Sequence, residues 1–372
     1  MPLAGIERHA HARAVLGPAV EPGGRPSHAY LFHGPPGTGK REAARAFAAA
    51  LLSEGAANAA TVSERVQRDS HPDLTWVRPS GAAEMLVGDI EEAVVAAATR
   101  TPFESSRRVF VIEAVETMND QAANRLLKTL EEPPAFAHLV LVSDRREDVM
   151  ATIVSRCQPV RFDPLAPEQI AQGLEQDGVE AGTAAACARL ALGDGALAAR
   201  LASPEGAALR AGAETLAASA LSGATAARPW LALLEAGRTA GAAAGERAGE
   251  RTATELELLP AKERKRHERE GLEARRRVER RARTQTIDLG LRLSELWLRD
   301  LLCASAGAGE LVHALDRRAQ IEADAQGADA SALGRAIELV GATRLSLTLN
   351  VSEELALEAM AYRIAALDAL AA

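Results

Sequence analysis

The sequence predicts an α/β domain, a parallel sheet with helices on both faces, followed by an all-helical remainder. Three observations carry this. Over the first 165 residues, short apolar runs alternate with helix-spaced segments. Some runs, such as Val109-Phe110-Val111-Ile112, are continuously apolar, the pattern of a strand buried on both faces. After Phe162-Asp163-Pro164-Leu165 the runs stop and only helical spacing remains. Strand–helix alternation implies parallel strands joined by crossover helices.

The elements follow in order. Ala29-Tyr30-Leu31-Phe32-His33 reads as a strand closed by Gly34. Arg41 to Leu52 reads as a helix, with Ala43, Ala44, Phe47, Ala48 and Leu51 on one side. Leu74-Thr75-Trp76-Val77 is a strand after the turn at His71-Pro72-Asp73, and Val87 to Thr99 is a helix. Val109–Ile112 and Leu139–Val142 are buried strands. Asp120 to Glu131 between them is a helix stopped by Pro133-Pro134. Pro167–Glu175 and Gly182–Leu192 are short helices, and Gly193-Asp194-Gly195 breaks the chain before a third. Thr284–Leu302 is amphipathic, and a last helix runs from Ser352 to about Leu370. The expected organisation is an α/β domain at 1–165, a small helical module at 166–203 and a helical domain at 204–372. A charged helical segment spans about 240–284 within the last.

Composition narrows the class. At about 150 residues per domain, 372 residues make two to three domains. A hydrophobic fraction of 47% with 25% charged residues excludes wholesale disorder and collagen. Cys157, Cys187 and Cys303 are odd in number and far apart, so neither a disulfide framework nor a four-cysteine zinc site can be built. Aromatic residues make up 3%, which leaves core filling to Ala and Leu and favours helix. The net charge of −8 argues against a surface basic throughout for DNA. No apolar run reaches membrane-spanning length and Met1 to Arg13 lacks an apolar signal core, so a cytoplasmic protein without membrane contact is expected.

His33-Gly34-Pro35-Pro36-Gly37-Thr38-Gly39-Lys40-Arg41 lies between a predicted strand and a predicted helix, the setting of a P-loop. Glycines let backbone N–H groups cradle phosphate oxygens, and the helix N-terminus adds partial positive charge. Gly34, Gly37, Thr38, Gly39, Lys40 and Arg41 are therefore candidate nucleotide-binding residues, with Lys40 on the outer phosphates. The plainer alternative is a glycine turn that only joins strand to helix. After the lysine such loops carry Ser or Thr, whose hydroxyl holds Mg²⁺. Arg41 stands there, and a guanidinium cannot ligate a cation, so the Mg²⁺ site is impaired. An ATPase of this type also needs adjacent acids at the end of a buried strand. Val109–Ile112 ends in Glu113, but the next residue is Ala114, which cannot activate water. Glu116, three residues on, reads as an ordinary exposed acid. ATP or ADP binding is expected to be weak, with little or no hydrolysis.

These residues carry a resemblance. Ser27–Lys40, Asn119–Pro134 and Thr152-Ile153-Val154-Ser155-Arg156-Cys157-Gln158 resemble, in order and separation, three stretches of the bacterial clamp-loader subunits of DNA polymerase III, which are AAA+ proteins. Within that family, a degraded ATP site beside an intact Ser-Arg-Cys motif is similar to the non-hydrolysing type of subunit. The resemblance implies an AAA+ module, a helical lid and a helical collar. It implies a ring of motor ATPase subunits and a delta-like subunit that loads a sliding clamp onto primed DNA. It also implies that Arg156 is an arginine finger acting in trans on a neighbour's ATP. An arginine in an ordinary surface salt bridge is the plainer alternative. Ser143 matches a polar sensor at the end of a strand, though it equally suits a strand-end cap. Ala196 falls where a second sensor arginine is expected. Relatives often carry a four-cysteine zinc module before the His-Pro-Asp turn; Ser53 to Ser70 has no cysteine, so no zinc is expected.

Residues 204–372 resemble the family weakly, in Trp297–Leu302 and Leu349–Glu358, both of which plain core packing also explains. Residues 261–283 hold 11 Lys/Arg against 5 Glu. Their interleaving favours a solvated helix over a DNA-phosphate contact, and the lack of aromatics disfavours single-strand stacking. The leading reading is a largely non-hydrolysing scaffold lending Arg156 to a neighbour. The alternative is an active AAA+ ATPase, either a motor subunit or a related replication or repair protein. A DNA-binding accessory acting through the basic run is a third. Restoring Thr at 41 and Glu at 114 is expected to create ATPase if the rest of the site is intact.

Overall fold

The structure is a computed structural model that describes residues 3, 6–21, 23–79, 84–258, 260–347, 349 and 351–369. Asn350 and Leu370, which the collar-like stretch and the last predicted helix include, lie outside them. The chain divides into two compact units. The first is 1–166 with 193–196, and the second is 167–192 with 197–372.

The first unit is built on a parallel five-stranded sheet. Its strands are β1 (Ala29–His33), β2 (Leu74–Val77), β3 (Arg108–Ile112), β4 (Ala137–Ser143) and β5 (Gln158–Arg161), in the spatial order β2-β3-β4-β1-β5. The strand residues alternate strictly between two cores. Tyr30, Phe32, Val109, Val111, Val140 and Val142 face one. Leu31, Phe110, Ile112, Leu139 and Leu141 face the other. This period-2 division of continuously apolar strands is what burial on both faces requires. The first face is covered by α1 (Ala10–Val20), α2 (Lys40–Leu52) and α3 (Ala59–Gln67). The second is covered by α4 (Val87–Ile90), a π-turn (Glu91–Val95), α5 (Ala96–Ala98), α6 (Asp120–Glu131) and α7 (Ala151–Val154).

The predicted strands and the helices over α2 and α6 are present. Three elements were not expected. β5 carries a proline and polar residues, which an edge strand paired on one side tolerates. α1 contains Pro18. α3 lies within 53–70, for which no element was predicted, and Asn58 caps it by accepting from the N–H groups of Ala60 and Thr61. The helix expected over 87–99 is interrupted by the π-turn.

The second unit is all helix among the described residues: α8 (Pro167–Gln176), α9 (Ala181–Leu190), α10 (Gly195–Ala202), α11 (Pro204–Leu221), α12 (Leu231–Leu258), α13 (Ala261–Ser305), α14 (Arg318–Asp324), α15 (Ala330–Leu347) and α16 (Glu353–Ala369). The first two residues of α10 belong to the first unit. The charged run and the amphipathic segment after it form one 45-residue helix. No described helix is long and apolar enough to cross a membrane.

Candidate functional site

Parallel pairing brings the candidate residues to one edge of the sheet. His33 is opposite Ser143, and Ile112 opposite Leu141. Gly34, Glu113 and Asp144, which follow β1, β3 and β4, therefore emerge side by side at the carboxyl ends of the strands, where α/β folds bind ligands. The phosphate loop turns through left-handed glycines at Gly37 (φ 69°) and Gly39 (φ 83°), the latter capping α2. The backbone of Phe162 lies against Gly34 and leaves no room for a side chain there, and the carboxylate of Asp194 lies against Gly37, where a side chain would have to displace it.

The loop borders a cavity of about 610 Å³. Pro36 to Glu42, Ala114, Asp144, Asp194 and Ala196 line it, with Glu7, Arg8 and His9 from the N-terminal segment. Lys40 is buried, and its Nζ donates to the carbonyls of Gly34 (2.6 Å) and Pro35 (2.5 Å) and pairs with Asp144 (2.8 Å). Thr38 Oγ1 donates to the Pro35 carbonyl at 3.0 Å, which stiffens the loop. The Gly195 N–H donates to the Gly37 carbonyl at 3.1 Å. His9 is buried against Phe162, with ring centroids 4.9 Å apart. Burial pushes its pKa down, against an opposing hydrogen bond to the Thr38 backbone, so it is neutral at pH 7. Its Nδ1 has no hydrogen-bond partner among the described residues.

Arg41 Nε pairs with Glu113 Oε2 at 2.8 Å. The same buried carboxylate accepts from Trp76 Nε1 (2.5 Å) and Arg78 Nε (3.2 Å). Trp76 in turn lies under the Arg45 guanidinium, 4.4 Å from its ring centroid. The strand-end acid is thus held by two guanidiniums and an indole. Ala114, next to it, sits in the left-handed region (φ 53°). A P-loop ordinarily holds its nucleotide with Mg²⁺, and these residues do not fit that ion. A guanidinium takes the place of the hydroxyl ligand and binds the acid that would serve the metal. Among the described residues no group of three or more His, Cys, Asp or Glu could hold a metal ion.

The structure brings Gly37, Thr38, Gly39, Lys40 and Arg41 onto one cavity wall. Gly34, Glu113 and Ser143 do not line it. Ser143 is buried, its Oγ accepts from the Arg145 N–H at 3.1 Å, and the neighbouring wall residue is Asp144. Glu116 is half-buried rather than exposed, and accepts from the Asp144 N–H at 3.3 Å. Arg156 lies away from the cavity; it pairs with Glu131 at 2.6 Å and donates to the Thr152 carbonyl at 2.9 Å. Sequence reasoning missed His9, Trp76, Arg78, Asp144 and Asp194.

Residues 19–166 match the family model described as "DNA polymerase III, delta subunit". DNA polymerase III subunit delta' of Bacillus subtilis is 38% identical over 162 residues, 41% of this chain and 47% of the relative. That of Pseudomonas aeruginosa is 36% identical over 136 residues, 35% and 42%. The chain therefore spans less than half the length of either. DNA polymerase III subunit tau of B. subtilis is 36% identical over 145 residues, 37% of this chain and 24% of that one. Among solved structures, a gamma subunit-related protein of Thermotoga maritima aligns over 95% of this chain and 98% of its own, at 16% identity and TM-score 0.40.

Proposed function

We propose that the chain, whose residues 19–166 are similar to DNA polymerase III clamp-loader subunits of the delta-prime type, is a largely non-hydrolysing member of a clamp-loader ring. Its partners are then the motor ATPase subunits and a delta-like subunit, and through the ring the sliding clamp and primed DNA, in the cytoplasm. Residues 166–203 serve as the lid and 204–372 as the collar. Arg156 is lent to the ATP of an adjacent motor subunit, where a guanidinium stabilises charge on the transferring phosphoryl group. The observation that carries this reading is the Arg41–Glu113 ion pair. It ties up the acid at the end of β3 beside an alanine that cannot replace it. Hydrolysis then has to occur next door.

The resting pair of Arg156 with Glu131 is half-exposed and weak enough to exchange for a phosphate partner. The test is clamp- and DNA-stimulated ATPase of the reconstituted loader. With Arg156→Ala, turnover at the neighbouring site is expected to fall by about 10³-fold or more. Arg156→Lys is expected to rescue little, because a point charge does not reproduce the guanidinium fork. Glu131→Gln, which only releases Arg156, leaves turnover intact or higher. The chain alone shows no turnover. Turnover by the chain alone, with Arg156→Ala silent in the complex, would replace this reading with an independent ATPase.

A further inference from the structure

The charge arrangement around the loop points to how a ligand is held. Lys40 and Arg41 are adjacent at the start of α2, and both line the cavity. Glu113 engages Arg41 through Nε, while the Arg41 side chain is 64% exposed. A guanidinium carries five N–H donors, and among the described residues Glu113 is the one ion-pair partner seen for this one. The cavity also holds the buried His9 ring with its unpartnered Nδ1, a polar atom that protein groups leave unsatisfied.

We propose that this cavity binds a nucleoside di- or triphosphate without a divalent cation, Arg41 standing where the metal would be and meeting the phosphates directly. The inference rests on reading the site as a degenerate nucleotide site. An arginine–phosphate contact is charge-assisted and can be bidentate. A divalent ion arriving with the nucleotide would face the guanidinium at close range, and the acid that could receive it is already bound by Arg41, Trp76 and Arg78. The free nucleotide carries more negative charge than its magnesium complex, so its phosphates are drawn more strongly to the Arg41 guanidinium. The carboxylates of Glu7, Glu42, Asp144 and Asp194 on the same walls oppose any anion and keep the affinity modest. Asp144 is the strongest competitor, since phosphate must displace it from Lys40.

The experiment is calorimetric titration of the full chain with ADP and ATP, in EDTA and in excess Mg²⁺. Wild type is expected to bind in EDTA and to bind several-fold more weakly in Mg²⁺. Arg41→Thr is expected to lose about tenfold in EDTA, the worth of one charged hydrogen bond, and to regain affinity when Mg²⁺ is added. Should Arg41→Thr fold poorly, Arg41→Lys keeps the charge and should stay metal-independent with a few-fold loss. Asp144→Asn is expected to tighten binding in EDTA. Wild-type binding that strengthens with Mg²⁺ overturns the proposal, as does no saturable binding in EDTA. Either result leaves the scaffold reading standing, because the Arg156 assay reads a neighbour's site.

Discussion

Asp73 is fully buried, and its carboxylate accepts from the N–H groups of Phe103 (2.5 Å), Glu104 (2.9 Å) and Ser105 (2.8 Å). Burial alone would raise its pKa, but the three N–H donors outweigh it and hold the carboxyl below its ordinary value. A depressed carboxyl stabilises the fold above its unfolded value, near 3.9, and that stability is lost as pH falls through the folded value. Asp73→Ala strands three donors and is expected to cost about 3 kcal/mol at pH 7. Urea midpoints at pH 7 and pH 3 check this: the wild-type advantage over the variant should shrink at the lower pH. At this scale the sequence spoke through types and spacing. Arg41 and Ala114 were legible as departures from a motif. Trp76 and Arg78 were not, because their approach to Glu113 depends on β2 lying beside β3, which strand order decides. Asp144 stands one residue past Ser143, where the resemblance led the sensor to be expected, and only the pairing of β4 with β1 brings it to Lys40. Those extra partners change one expectation. Arg41→Thr with Ala114→Glu should gain no ATPase in the isolated chain, because Trp76 and Arg78 still occupy Glu113; measurable turnover would count against that view.

α12 and α13 form the most extensive helix pair of the second unit. Gly237, Gly241, Gly245 and Gly249 recur every fourth residue on α12, on the face turned to α13. A Cβ at Gly241 would lie 2.9 Å from the Glu279 carbonyl oxygen, and one at Gly237 2.9 Å from Ile287. The absent side chains let the two backbones approach closely. Gly241→Leu is therefore expected to separate the helices and lower the thermal midpoint by several degrees, against the small gain in helix propensity that leaving glycine brings. Circular dichroism melts decide it, with Gly334→Ala, where nothing lies within 4 Å, as the control expected to stabilise slightly. Element type was legible wherever apolar spacing was strong, as in β1, β3, β4, α2 and α6. It failed where an element needs little burial. β5 is an edge strand with Pro159, and α3 buries only Val62 and Val66. The change from charged to amphipathic composition near Thr284 suggested two segments, but no Gly or Pro stands there to stop a helix, and α13 runs straight through.

Across the whole chain, the division into an α/β unit and a helical unit was legible from where the apolar runs stop. The return of residues 193–196 to the first unit was not, since Gly193-Asp194-Gly195 reads simply as a helix break. A chain ending at Ala166 lacks the Gly195 N–H that bonds the Gly37 carbonyl, and it lacks Asp194 over that glycine. The amides of 37–40 are expected to exchange with solvent faster in that fragment than in the full chain, measured by hydrogen–deuterium exchange; equal rates would mean that the loop is held by the first 166 residues alone. This excursion also bears on ancestry. A crossover that exchanged the first 166 residues between two relatives would pass on the phosphate loop without the four residues that cover it. The loop and its distant cover must then be inherited together or re-matched by later mutation, and the natural unit of descent is longer than the sheet itself.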